Sequence, residues 1–381
     1  MGSLPSPPQT TTPSSSPESS PSSYRVYASF CHKNVSNWIE CYNPSNNTWS
    51  YVSSVPNLIE NHVLKGFAMV TLGDSIYIIG GLLCRRVQAP NSVDESDEFI
   101  DVGVEVLPSV LRYNVCSNQW SQSAPLGEPR YDFAFAICEN KIYVAGGKSS
   151  LASRRGISCA EVYDPTLNAW SPLPSMSTLR YKSVGVTWRG KIHVVGGFAM
   201  RRDSDKTVPF ITERSSAEVY DPRTGKWDLV AGMWQLDVPP NQIVEVDGSL
   251  FSSGDCFKAW KGYIEAYDGK LNIWNVVDGS HLQTLNSPIS PSDDNNENWP
   301  PTQRIYLTMA PIGTRLFFLA GYRKAGESSR IMSTALIFDT TATRRAWASS
   351  EPMEEEGVKE LCSHCCVVRI SETTVASEVT I

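Results

Sequence analysis

Short apolar runs that alternate with turn residues recur along the chain from Tyr24 onward. One run, Ile-Tyr-Val-Ala at 142–145, is followed directly by Gly146 and Gly147. Runs of four or five β-branched and aromatic residues bounded by glycine or proline are typical of buried strands. The chain is therefore predicted to fold from many short strands, as an all-β protein.

A second pattern, a hairpin motif, recurs six times. An aromatic residue ends one strand, a turn that often contains Asp-Pro or Asn-Pro follows, and a tryptophan opens the next strand. Asp or Asn before Pro starts a tight turn, so the chain must reverse there. The last copy, from Phe338 to Trp347, is looser than the others. The six tryptophans are Trp49, Trp120, Trp170, Trp227, Trp274 and Trp347.

Glycine pairs close the strand that precedes the hairpin in three copies, where they give the backbone freedom next to a buried strand. The pairs are Gly80 and Gly81, Gly146 and Gly147, and Gly196 and Gly197. With one further strand before it, each copy becomes a four-stranded unit of the kind that forms a propeller blade. We denote its strands a to d in chain order.

The Gly-Gly, Tyr and Trp positions resemble kelch repeats. Successive tryptophans lie 71, 50, 57, 47 and 73 residues apart, close to the kelch period of about 50. The resemblance implies a six-bladed kelch-type β-propeller at 24–370, closed by pairing of a C-terminal strand at 364–370 with the N-terminal blade. Residues 1–23, of which 18 are Ser, Pro or Thr, are predicted to be a disordered tail, and residues 371–381 a flexible one.

Charge and composition narrow the function classes. Lys plus Arg number 33 against 40 Asp plus Glu, a net charge of −7, which gives no general reason to bind nucleic acid. No apolar run is long enough to span a membrane. Ten cysteines at irregular positions indicate reduced thiols, hence a cytoplasmic or nuclear protein. We expect a monomer.

All the long insertions are predicted on one face. Strands alternate in direction, so the b–c and d–a loops open on the same side, which we call the long-loop face. The insertions are the b–c loops at 82–109, 148–158, 198–216 and 322–334 and the d–a loop at 280–303. Loops held by a rigid scaffold commonly carry recognition, so a protein partner is predicted to bind here.

Basic residues gather near the same face and resemble an Arg-lined bowl that clamps carboxylates or phosphate. The alternative is that they only solubilise the loops, and acidic residues at 94–101 could neutralise them. An acidic partner segment fits the bowl. The candidates are Lys65, Arg85, Arg86, Arg130, Arg154, Arg155, Arg180, Arg201, Arg202, Arg304, Arg323 and Lys324.

Candidate metal and thiol chemistry is sparse. Cys362, Cys365 and Cys366 surround His364 and suggest zinc binding or oxidation, but alternation along a strand would put Cys365 and Cys366 on opposite faces. His193 fills a strand position that Tyr holds in other copies, which predicts a structural role. The acids at 161, 164, 218 and 221 are interpreted as hairpin chemistry. We predict no catalytic residue, metal or cofactor.

The sequence Ala-Glu-Val-Tyr-Asp-Pro at 217–222 looks like the kelch half of plant F-box/kelch-repeat proteins. In that family the propeller recruits a target, and an N-terminal F-box joins a ubiquitin ligase. The 23 residues before the first strand leave no room for an F-box, so we expect any ligase link to come from another subunit. The first hypothesis is a non-catalytic protein-interaction module. The alternative is a small-molecule-binding or metal-dependent kelch enzyme of the specifier or oxidase type.

Overall fold

The computed structural model of the protein describes residues 23–32, 35–88, 99–201, 211–236, 238–254, 264–278, 302–324, 330–342, 346–357 and 359–370. Within these ranges it is all-β, with a single helical turn, α1 (Ile211–Arg214). The predicted tail at 371–381, and all of the predicted tail at 1–23 except Ser23, lie outside the described residues. No helix in the described ranges is long and apolar enough to cross a membrane.

The strands of the first half are short, because turn residues interrupt each apolar run. They are β1 (Tyr24–His32), β2 (Val35–Asn43), β3 (Thr48–Ser54), β4 (His62–Lys65), β5 (Ala68–Leu72), β6 (Ser75–Ile79), β7 (Leu82–Gln88), β8 (Phe99–Val106), β9 (Val110–Asn114), β10 (Gln119–Ser123), β11 (Ala134–Cys138), β12 (Lys141–Ala145), β13 (Ala160–Asp164), β14 (Ala169–Leu173), β15 (Thr178–Tyr181) and β16 (Val184–Trp188).

The strands of the second half continue the same order and include three longer ones near the C-terminus. They are β17 (Lys191–Val195), β18 (Phe198–Arg201), β19 (Ala217–Asp221), β20 (Lys226–Val230), β21 (Ile243–Val246), β22 (Ser249–Ser252), β23 (Ile264–Asp268), β24 (Ile273–Asp278), β25 (Thr302–Ile312), β26 (Arg315–Lys324), β27 (Arg330–Asp339), β28 (Trp347–Ser349), β29 (Met353–Glu356), β30 (Glu360–Leu361) and β31 (Cys366–Arg369).

In the described part of the chain these strands form antiparallel sheets, six of which have four or five strands. In chain order the six sheets are β1–β3 with β30 and β31; β5, β6, β9 and β10; β11–β14; β16, β17, β19 and β20; β21–β24; and β25–β29. Two smaller sheets, β4-β7-β8 and β15-β18, accompany them. This architecture is consistent with a kelch propeller.

The predicted hairpins are confirmed at all six tryptophans. Tyr163 lies opposite Trp170 across β13 and β14, with ring centroids 5.1 Å apart. The Tyr163 hydroxyl donates to Asn168 Oδ1 at 2.8 Å, and Asn168 takes the left-handed conformation that the turn needs. The other opposed pairs are Tyr42 and Trp49, Tyr113 and Trp120, Tyr220 and Trp227, Tyr267 and Trp274, and Phe338 and Trp347.

Four of these tryptophans also tie their sheet to the preceding one. The Trp170 indole N–H donates to the Ala124 carbonyl oxygen at 2.9 Å, and the Trp274 indole N–H to the Met233 carbonyl oxygen at 2.6 Å. Trp120 and Trp227 donate in the same way to Ser53 Oγ and to the Pro174 carbonyl oxygen. The repeated tryptophan therefore serves both its hairpin and the junction between sheets.

One strand of each large sheet contacts the corresponding strand of the neighbouring sheets. We call β5, β11, β16, β21, β25 and β31 the inner strands. Each contacts the inner strand of the next sheet, and β31 contacts both β25 and β5. In the first sheet β31 pairs antiparallel with β1, with Tyr24 opposite Arg369 and Tyr27 opposite Cys366.

Parts of the predicted long loops are strands instead. The region 82–109 contains β7 and β8, which pair with each other and with β4. At 198–216 the chain first forms β18, which pairs with β15, and β26 and β27 extend into the region 322–334. Residues 279–301 of the predicted d–a loop lie outside the described residues. The insertions are thus built partly from sheet, because their own β-branched runs pair with neighbouring strands.

Candidate functional site

The inner strands enclose a central cavity of about 720 Å³. Its wall is largely apolar and includes Val70, Phe135, Val186 and Val244. The side chains come from six sequence-distant strands, so no local motif marks the cavity in the sequence. A concave, mostly apolar space with few polar groups is the usual form of a binding site.

The mouth of the cavity on the long-loop face carries charges of both signs. Gly66, Asp132 and Lys182 hold equivalent positions just before three inner strands, and all three have left-handed φ values of 53–62°. The Asp132 N–H donates to the Gly66 carbonyl oxygen, and the Lys182 N–H to that of Asp132. Burial raises the pKa of Asp132, while Lys182 and Lys148 oppose that rise. The mouth is therefore not uniformly basic.

Arg130 and Arg180 do not line an open bowl, and this part of the basic-bowl hypothesis is wrong. Both side chains are completely buried. Arg180 donates to the carbonyl oxygens of Gly196 and Ser216 at 2.9 and 3.0 Å. Burial lowers its pKa to about 10. Arg130 bonds in the same manner to Gly146 and Cys159, so each guanidinium ties together the two ends of a b–c loop.

Two glutamates complete these buried polar networks, a role that sequence reasoning missed. Glu161 accepts hydrogen bonds from Arg130 and from the Gly127 N–H, and Glu218 accepts them from the N–H and hydroxyl of Thr178. The interpretation as hairpin chemistry holds for the neighbouring aspartates: Asp164 Oδ1 caps the N–H of Thr166, and Asp221 Oδ1 that of Arg223. The available signal was positional, since each Arg stands four residues before its inner strand and each Glu is the second residue of β13 or β19.

Lys65 and Arg86 belong to a partly exposed network of ion pairs within the protein. Arg86 is 8% exposed, and it contacts Asp101 Oδ1 at 2.9 Å and Glu360 Oε2 at 2.7 Å. Lys65 Nζ lies 2.5 Å from the same Glu360 oxygen and 3.5 Å from Asp101. The network links β4, β7 and β8 to the C-terminal segment, so these two cations already have acidic partners.

The remaining predicted basic residues divide into two groups. Arg85, Arg154 and Arg155 are exposed on the long-loop face, and Arg323 is half-buried. Arg202 and the side chains of Arg201, Arg304 and Lys324 lie outside what the structure describes. Of the predicted basic residues, Arg85, Arg154 and Arg155 are therefore the ones that the structure describes as exposed.

An exposed apolar stripe on β8 was not predicted. Ile100, Val102 and Val104 occupy every second position and are 47%, 42% and 47% exposed. Arg85 lies opposite Val102 across β7 and β8. Among the described strands β8 is the outer strand of its sheet, so one of its edges has no strand beside it. We call Arg85, Ile100, Val102 and Val104 the β8 stripe. The alternation of β-branched residues at 100–104 was the available signal.

The thiols near the C-terminus pack in separate environments. Cys365 lies in the cluster around Phe30 and Tyr306, whereas Cys366 lies in another around Tyr27 and Cys41. Burial raises the pKa of each to about 12. The predicted opposite orientation of Cys365 and Cys366 is thus confirmed. Among the described residues no three His, Cys, Asp or Glu side chains are grouped to hold a metal ion.

Of the two histidines singled out by the sequence, His193 is buried and His364 is half-buried. His193 lies on strand β17, and its Nδ1 is 3.2 Å from the Lys191 carbonyl oxygen. Burial lowers its pKa to about 4, and burial lowers that of His364 to about 4 as well. Both side chains are accordingly neutral at pH 7, and the packing of His193 against Trp188 fits the predicted structural role.

Comparison with known proteins identifies kelch motifs at residues 30–56, 129–177 and 179–233. An F-box/kelch-repeat protein of Arabidopsis thaliana is 29% identical over 212 residues, which cover 55% of this chain and 49% of the relative. A second Arabidopsis F-box/kelch-repeat protein is 25% identical over 264 residues, 66% of this chain and 53% of that protein.

Animal proteins are also among the relatives. Kelch-like protein 21 of Mus musculus is 25% identical over 283 residues, 63% of this chain and 40% of its own length. A human kelch repeat and BTB domain-containing protein is 28% identical over 209 residues, 52% of this chain and 30% of its own. The chain spans about half or less of the length of these relatives.

Proposed function

We propose that this kelch-repeat chain is a non-catalytic protein-interaction module whose six large sheets are the blades of a closed propeller. Two observations support closure. The inner strands contact one another in sequence back to the first, and β31 pairs with β1. Such a ring protects all but short sheet edges and holds the loops of one face in fixed positions. The chain acts as a monomer in this proposal.

The partner binds the long-loop face at the β8 stripe. The observation that carries the proposal is the open edge of β8 beside three exposed β-branched side chains. Such an edge can accept an added strand from a partner. Arg85 lies within the stripe, and the loop that carries Arg154 and Arg155 packs against the other side of β8, where Leu151 approaches Gly103. The partner chemistry that fits is an extended segment in which apolar and acidic residues alternate.

The relatives suggest the context of this interaction. Two plant relatives carry the name F-box/kelch-repeat protein and a human one is named for a BTB domain. The propeller would then recognise a target for a ubiquitin ligase. The nine described cysteines are free thiols, which supports a reducing cytoplasmic or nuclear location.

The decisive experiment compares two exposed faces of the same protein. Wild type, an Arg85→Glu/Val102→Asp variant and a Leu167→Asp control are used in parallel for affinity purification from plant extract. Leu167 is 74% exposed in the turn between β13 and β14, on the face opposite the long loops. The proposal requires a stoichiometric partner that wild type and the control retain and the stripe variant loses.

Binding is then measured with the purified partner. Loss of a central anchor and reversal of a charge should weaken the dissociation constant by at least about tenfold. Equal affinity of the stripe variant and wild type, with both proteins folded by circular dichroism, would reject the β8 stripe. Metal analysis of the same wild-type preparation tests the enzyme alternative, for which about one equivalent of bound iron or copper would be the supporting result.

A further inference from the structure

Two cysteines from opposite ends of the chain meet beside the central cavity. Cys31 lies on β1, where it is paired in register with Glu360 of β30. Cys362 follows β30, and its N–H donates to the Ser29 carbonyl oxygen at 2.8 Å. Ser29 and Cys31 are two residues apart on one strand, so Cys31 and Cys362 project from the same face of the pairing. Both thiols also contact the same residue, since Cys31 Sγ lies 3.7 Å from Glu360 Oε2 and Cys362 Sγ lies 3.6 Å from the Glu360 carbonyl oxygen.

The surroundings favour a negative charge on this pair. Arg86 Nη2 donates to Cys31 Sγ at 3.3 Å, and Lys65 is held nearby by Glu360. The neighbouring Cys362 thiol lowers the pKa of Cys31, and Lys65 and Arg86 lower it further, against the effects of burial and of Glu360. Burial and the neighbouring Cys31 raise the pKa of Cys362, so Cys362 keeps its proton and the negative charge of the pair lies on Cys31.

The pair is also reachable. Cys31 is fully buried, whereas Cys362 is 7% exposed and lines the central cavity. A small oxidant in the cavity therefore meets Cys362 and not Cys31. Burial raises the pKa of Cys362 and of the nearby Cys365 and Cys366, but Lys65 opposes that rise at Cys362, whereas no cation opposes it at the other two thiols. Reactive thiols are those that combine cationic neighbours with access.

We infer that Cys31 and Cys362 form an oxidisable dithiol that hydrogen peroxide converts to a disulfide, locking the C-terminal segment onto the first sheet. The Cys31 thiolate takes the proton of Cys362, and the Cys362 sulfur attacks one oxygen of hydrogen peroxide. The O–O bond breaks, and the leaving hydroxide takes up from solvent the proton that Cys31 lost on ionisation and becomes water. Cys362 is then a sulfenic acid.

The second step closes the disulfide. The Cys31 sulfur attacks the Cys362 sulfur, the S–S bond forms, and the sulfenic oxygen leaves with the Cys31 proton as a second water. Two thiols have lost two electrons, and one molecule of hydrogen peroxide has been reduced. The linkage joins residues 331 positions apart. A reduced thiol in the environment reverses it by exchange.

The test uses the full chain in a Cys116→Ser background, because Cys116 is the exposed cysteine among those described. Reduced protein is treated with hydrogen peroxide at pH 7, blocked with N-ethylmaleimide and digested without reduction. Mass spectrometry should find a Cys31–Cys362 cross-linked peptide that dithiothreitol removes, with Cys365 and Cys366 still reduced. Absence of that peptide from folded, peroxide-treated protein, or equal oxidation of Cys365 and Cys366, would overturn the inference.

A matched pair of variants tests the role of Arg86 as a positioning residue. Arg86 and Arg85 are neighbours on β7, but only Arg86 reaches Cys31. Arg86→Gln should slow disulfide formation by about tenfold for each unit by which the pKa of the pair rises, whereas Arg85→Gln should leave the rate unchanged. Arg86→Lys should restore part of the rate. Equal rates in Arg86→Gln and Arg85→Gln would contradict the inference. If Arg86→Gln does not fold, the rate of Arg86→Lys is compared with that of Arg85→Gln at several pH values, and equal rates there would contradict the inference too.

Discussion

The Arg180 carbonyl oxygen lies so close to Gly146 of the preceding sheet that a Cβ atom at Gly146 would be 2.6 Å from it. The same oxygen accepts the Gly147 N–H at 2.8 Å. Arg130 and Gly80 repeat this arrangement one sheet earlier, also with a distance of 2.6 Å. These two glycine pairs are therefore contact points between sheets, where the backbone of one sheet bonds to the backbone of the next.

Gly146→Ala should consequently destabilise the protein more than an equivalent change elsewhere. Gly190 is the control, because it has a similar left-handed φ, 72° against 69°, but nothing within 4 Å of its Cβ position. Gly190→Ala should cost about 1 kcal/mol for backbone strain, and Gly146→Ala at least about 2 kcal/mol more, because a backbone oxygen must move. Urea unfolding measures the difference, and equal losses would show that the contact is not rigid.

Trp274 and Trp347 provide a second comparison. Each packs against two aromatic rings, and the Trp274 indole N–H donates to the Met233 carbonyl oxygen. The Trp347 indole nitrogen is buried without a partner among the described residues. Trp274→Phe should therefore lower the free energy of unfolding by about 1–3 kcal/mol more than Trp347→Phe. Chemical denaturation of both variants checks this, and the opposite order would refute the inter-sheet role of the tryptophan.

Stability should fall as the pH is lowered from 6.5 to 4. Burial lowers the pKa values of His193 and His364 to about 4, so in this window the unfolded chain binds protons that the folded protein does not. Each histidine contributes up to about 3 kcal/mol, which is present above pH 6.5 and lost by pH 4.

The check is urea unfolding at pH 7 and pH 5 for wild type and for His193→Tyr, which places in β17 the residue found at Tyr77 and Tyr143 in the equivalent strands. The variant should lose part of the pH dependence while staying folded. An unchanged dependence in His193→Tyr would show that this histidine does not titrate on unfolding.

The C-terminal strand should be essential for the fold. A chain that ends after Glu360 lacks β31 and leaves β1 with unpaired backbone groups along its edge, which favours aggregation. A chain that ends after Ile370 keeps the strand and should retain the solubility and melting temperature of wild type. Size-exclusion chromatography and thermal unfolding distinguish the two, and a soluble shorter chain with an unchanged melting temperature would contradict the closure of the ring.

Reading the sequence succeeded where the chemistry is local. Tyr163 and Trp170 lie seven residues apart around a turn, so their pairing follows from residues that are neighbours along the chain. The exposed stripe at Ile100 and Val102 was missed, because residues 82–109 lie between strands b and c of their repeat and were interpreted as a loop. Alternation alone does not state which face of a strand will be covered by other parts of the chain.

The sequence by itself determined the repeated hairpins, the glycine-closed strands and the resemblance to kelch repeats, since turn chemistry and strand alternation act over fewer than ten residues. Only the tertiary structure decided the fate of the cations. Arg180, which lies shortly before the inner strand β16, is buried, whereas Arg154, which follows β12, is exposed. The sequence around them does not reveal this difference. The difference arises from partners distant in the chain, such as Ser216 for Arg180, and the same long-range packing brings Cys31 beside Cys362.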